Sequence, residues 1–144
     1  MAHRRGQGLP SHTDHGTAVL EVLVLGVGLL VPLLYAALSV MAVQAASYAA
    51  TSAAREAARA YVTSATPAQG LSRARTAARV VLADAGLTTS GPRVSCVGGR
   101  CLAPRTRVDV AVPVVVHLPL LAGGPSITVT GRESMPVDRY RDNP

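Results

Sequence analysis

The sequence predicts an α+β fold: a long N-terminal transmembrane helix, a second amphipathic helix, and a small antiparallel sheet of about three strands. Three observations carry this expectation. From Val22 to Ala54 the chain contains no Asp, Glu, Lys or Arg. Apolar residues then recur at helical spacing between a Thr-Pro start at Thr66 and a glycine stop at Gly86. After that the pattern alternates, with Val108, Val110, Val112 and Val114 on one side and Arg107 and Asp109 on the other. The chain divides accordingly into a leader (1–16), the spanning and extended N-terminal helix (17–62) and an α+β portion (63–144).

The apolar run is longer than a bilayer needs. As a helix it reaches ~50 Å, against ~30 Å of hydrocarbon. Val22 to Val43, rich in Leu and Val, belongs in lipid. Gln44 to Tyr61 turns Ala-rich and then charged at Arg55, Glu56 and Arg59, and belongs in water or against protein. Pro32 removes the hydrogen bond to the Gly28 carbonyl and loosens the helix there. Arg4 and Arg5 predict a cytoplasmic N-terminus, which places the C-terminal portion outside the cytoplasm; Arg55 and Arg59 on the far side weaken that vote. An ordinary secretory signal with a cut near Ala45 stays open, because Val43 and Ala45 satisfy a loose small-residue rule.

Glu21 stands at the mouth of this run. A carboxylate entering a bilayer costs a few kcal/mol, which makes it a functional candidate. Small residues recur in pairs at Ala45/Ala46, Ala49/Ala50, Ala53/Ala54 and Ala57/Ala58. That stripe lets another helix backbone approach closely. Helix propensity alone is the competing explanation.

In the α+β portion, Thr66 caps a helix with Pro67 at its first position and Gln69 three residues after the cap. Leu71, Ala74, Ala78, Val81, Leu82 and Ala85 share one face, so the helix covers a sheet; resting on anionic headgroups is the alternative. Strands are expected at Arg93–Val97, Arg105–Val116 and Ile127–Thr130, with Gly98-Gly99 linking the first two as a hairpin. The apolar connection Leu118 to Gly124 is expected under the helix. Cys96 and Cys101, across a hairpin outside the cytoplasm, read as a structural disulfide.

Composition narrows the function classes. The net charge is +6, with Arg as the only strong base, but the arginines are scattered and Phe and Trp are absent. Nucleic-acid binding lacks its stacking platform and is not expected. No Ser elbow, phosphate loop or metal spacing occurs, so no catalytic residue, metal or cofactor is assigned. His3, His12 and His15 fall in the leader, and His117 stands alone near a strand end.

Gly16, the apolar residues after it, and Glu21 resemble the cleavage region of class III signal peptides, carried by type IV pilins and their relatives. Ala53-Ala54-Arg55-Glu56-Ala57-Ala58-Arg59-Ala60 resembles the signature just beyond the span in TadE-like proteins. These are minor pilins, or pseudopilins, of the tight-adherence (Flp/Tad) pilus system. The resemblance covers roughly Gly16 to Tyr61 and implies a pilin-like fold that assembles and does not catalyse. It implies cutting between Gly16 and Thr17 by a prepilin peptidase, and pairing of Glu21 with the new amine of a neighbouring subunit. Implied partners are that peptidase, Flp pilins, the Tad secretion machinery and membrane lipid. The implied assembly surface joins Glu21 with Ala45, Ala46, Ala49, Ala50, Ala53, Arg55 and Glu56. A single-span envelope protein with an exported interaction domain is the alternative.

Overall fold

A computed structural model describes residues 15–96, 98–118 and 125–140, without the side chains of 15–17. The protein is α+β. Two helices, α1 (His15–Val62) and α2 (Pro67–Asp84), precede strands β1 (Arg93–Cys96), β2 (Arg107–His117) and β3 (Ser126–Pro136). The strands form one antiparallel sheet in the order β1-β2-β3. The chain separates into two compact units, Met1–Ala36 and Ala37–Pro144, with the boundary inside α1. The second unit thus begins well before residue 62, because the last turns of α1 supply its core.

In that unit, α1 buries Ala46, Ala50, Ala53, Ala54, Ala57, Ala58 and Tyr61. From α2 come Ala74, Ala78 and Leu82, and from β2 come Val108, Val110, Val112 and Val114. No aromatic ring fills space between helix and sheet apart from Tyr61, so the layers close by approaching one another. Gly131 of β3 shows how close: a Cβ there would clash with the carbonyl of Ala50. Gly70 of α2 likewise faces the Tyr61 ring, which lies 3.0 Å from where its Cβ would be.

Local chemistry sets the ends of α2. The Thr66 hydroxyl accepts from the Gln69 amide at 3.3 Å, and Gln69 Oε1 accepts from the Ala65 amide at 3.2 Å. At the other end the Leu87 amide donates to the Leu82 carbonyl at 2.8 Å and the Gly86 amide to the Ala83 carbonyl at 2.9 Å. This is a Schellman closure, which needs the positive φ of +66° that Gly86 supplies.

Alternation places the odd-numbered residues of β2 outward and Val108 to Val116 inward. Pro113 sits in this central strand without harm. Its carbonyl accepts from the Thr89 hydroxyl at 2.6 Å, on the side where β1 has already ended. In an antiparallel strand the missing N–H points to that same side, where no strand awaits it.

Two expected elements differ. Between the end of β1 at Cys96 and the start of β2 at Arg107 the connection is longer than a two-residue turn, and the Cys96–Cys101 disulfide ties it to the end of β1 (Cα–Cα 5.0 Å). Gly98 (φ +80°) and Gly99 (φ +77°) still turn the chain there. β3 continues past Thr130 to Pro136, pairing with β2 down to Arg107. Val97 and the apolar segment 119–124 lie outside the described residues.

Candidate functional site

The surfaces of α1 are the candidate site, taken one unit at a time. In the first unit the large apolar side chains from Val19 to Leu34 are exposed, and Glu21 stands exposed among Val19, Leu20, Val22 and Leu23. Gly16 and Thr17 belong to the first turn of α1, while residues 1–14 of the leader lie outside the described residues. This helix is long and apolar enough to cross a membrane. Pro32 lies within it, and Gly26 and Gly28 have open space around them.

In the second unit α1 has two faces. The inward one carries Ala50, Ala53, Ala54, Ala57 and Ala58, packed in one cluster with the chain's own sheet and second helix, and Ala46, which is also buried. The small-residue stripe therefore serves close approach, but to a strand of the same chain. Of the residues expected at an assembly surface, Ala46, Ala50 and Ala53 are consumed internally and Ala49 is half-buried. Ala45, Arg55 and Glu56 remain exposed, next to Tyr48, Thr51, Ser52 and Arg59. The free face is polar and charged, not a row of alanines.

Arg55 reaches back to β3, with its Nε 4.0 Å from Glu133 Oε2. The observed pairing is across elements, because Glu133 follows Gly131 on the strand that α1 approaches most closely. Hydroxyls along α1 turn inward to the helix itself: Ser47 donates to the Val43 carbonyl at 2.8 Å and Thr51 to the Ser47 carbonyl at 2.9 Å.

The disulfide Cys96–Cys101 is formed, with Cys96 opposite Val108 at the β1–β2 pairing. Among the described residues no three His, Cys, Asp or Glu side chains gather into a metal-binding group. His117 is exposed at the end of β2, beside a groove of about 380 Å³ lined by Ala42, Ala46, Leu87 and Val116.

Sequence reasoning missed Gly131. The signal was available: a glycine inside an alternating strand marks a bulge or a close backbone approach. No family model, curated protein or solved structure matches this chain.

Proposed function

We propose that the chain is a membrane-anchored, TadE-like pseudopilin that takes part in assembling a Flp/Tad-type pilus through association. The observation that carries this reading is the exposed apolar helix with Glu21 at its start, one helical turn and a residue after Gly16. From Val19 to Met41 it measures roughly 33 Å, close to the ~30 Å of hydrocarbon. The segment that follows is built into a folded unit. Such a unit suits a subunit held at a membrane surface before it joins an assembly.

In this reading the leader with Arg4 and Arg5 stays cytoplasmic and the folded unit is exported. The Cys96–Cys101 disulfide supports export, since disulfides persist outside the reducing cytoplasm. Removal of the leader frees the Thr17 amine. The Glu21 carboxylate of a neighbouring subunit meets that amine, and each charge relieves the burial cost of the other. The assembly surface is Glu21 in lipid and, beyond it, the free face of α1 at Ala45, Tyr48, Arg55 and Glu56.

Determining the N-terminus of protein extracted from host membranes tests this. A chain starting at Thr17 supports the pseudopilin. An intact leader replaces it with a plain single-span anchor. A start near Ala46 makes the folded unit a secreted domain.

A further inference from the structure

The second unit is segregated by charge along its length. Residues 113–117 of β2 and 126–130 of β3 contain no Asp, Glu, Lys or Arg, and neither do residues 85–92 between α2 and β1. Charges on the sheet begin two residues further along, at Arg93 and Arg132 on either side of Ala111, and continue at Glu133 and Asp109. The charge-free end is the one at Ala42 and Ala46 of α1, which share a groove with Leu87, Val115 and Val116. The charged end lies further along the same helix, where Arg55 pairs with Glu133. Asp84, exposed at the end of α2, is the charge adjoining the neutral end.

Apolar side chains stay uncovered at that neutral end. Val115 is 44% exposed and Ile127 37%, although both sit in regular strand pairing. Ala42 also lies directly after the long exposed apolar stretch of α1, so the neutral end is where the chain enters the folded unit from that stretch. An aqueous surface gives no reason to clear charge from three separate chain segments at one end only. The boundary between headgroups and acyl chains does, because charge is costly there and exposed Val and Ile are not.

We propose that this end of the folded unit, around Val115, Ile127 and Thr128, is a lipid-contacting surface that rests in the headgroup–acyl boundary of the bilayer. It rests on the anchored reading of α1. Its role is to hold the folded unit at a fixed depth in the membrane surface.

The chain has no Trp, so single tryptophans report depth without background. Val115→Trp, Thr128→Trp, Ser134→Trp and Leu30→Trp are each placed in the full chain, reconstituted in phosphatidylcholine vesicles with brominated acyl chains. Thr128 pairs with Val115, whereas Ser134 shares their outward face ~20 Å along the strand. Interfacial immersion reaches roughly 5–10 Å, so bromine should quench Val115→Trp and Thr128→Trp about threefold more than Ser134→Trp. Equal, weak quenching at all three, with Leu30→Trp strongly quenched, overturns this inference alone. A blue-shifted but unquenched Val115→Trp identifies a second copy as the occupant and overturns it too. An unquenched Leu30→Trp overturns the anchored reading, and this one with it.

Discussion

Gly131 of β3 lies against the backbone of α1 at Ala50, so near that a Cβ on Gly131 would clash with the Ala50 carbonyl. Helix and strand meet backbone to backbone, and Ala50 is wholly buried there. This contact explains how a protein with no Phe or Trp closes its core. Side chains as small as Ala contribute little area each. They contribute by letting the valines of β2 join one buried cluster with both helices.

Gly131→Ala should therefore be severe. The obstructing atoms are backbone, which does not yield as the end of a flexible side chain does, so a loss of about 3 kcal/mol or more is expected. Gly98→Ala is the comparison. It meets open space and suffers only from its φ of +80°, at about 1–2 kcal/mol. Urea titration of both full-length variants in detergent micelles, followed by circular dichroism, reads the difference. Equal losses would remove the close approach from the account of this fold.

The same contact marks the limit of what the residues reveal unaided. The ends of α2 were legible, because Thr66, Pro67, Gln69 and Gly86 act within a few residues of themselves. The inward face of β2 was legible from alternation alone, and the Cys96–Cys101 pair from its spacing across the expected hairpin and the expected compartment. The partner of the alanine stripe was not, since the pattern that admits a second helix also admits a glycine of a strand. β3 was cut short at Thr130 for a related reason. Gly131, Arg132 and Glu133 look like a strand ending, and only the helix lying across them accounts for the glycine and gives Glu133 its Arg55.

The disulfide closes a short loop, and cross-linking so few residues contributes about 2 kcal/mol in the chain-entropy model. The double variant Cys96→Ser, Cys101→Ser should lose that amount in the same titration while keeping its helix content. The loss arises at the β1 edge, where Cys96 pairs opposite Val108. Amide exchange should quicken in β1 and leave Gly131 in β3 protected. Uniform quickening across the sheet would show that the bridge holds the whole unit and not its edge.

Glu21→Ala separates insertion from assembly. The substitution makes the apolar stretch longer and less costly to insert, so membrane fractionation should find the variant in full amount. On the proposed pseudopilin reading, incorporation into sheared surface filaments should fall to background, because the Thr17 amine of a neighbouring subunit would lose its counter-charge. Incorporation at the native level would take Glu21 out of the mechanism while leaving the anchor untouched.

The free face of α1 makes a complementary test, because stability and assembly part company there. The Arg55–Glu133 pair is long at 4.0 Å and Arg55 is 64% exposed, so Arg55→Ala should cost no more than about 0.5 kcal/mol after solvent screening. Glu56 is exposed one residue further along, and Glu56→Arg should leave stability within about 0.5 kcal/mol of the native chain. If the free face of α1 is the assembly surface proposed above, the reversed charge would meet surfaces matched to its opposite, and such mismatches cost several kcal/mol. Co-isolation with the filament should then drop by about tenfold or more, since each 1.4 kcal/mol is a factor of ten. A variant that stays folded and still co-isolates fully would show that α1 meets its neighbours through the lipid-spanning part alone.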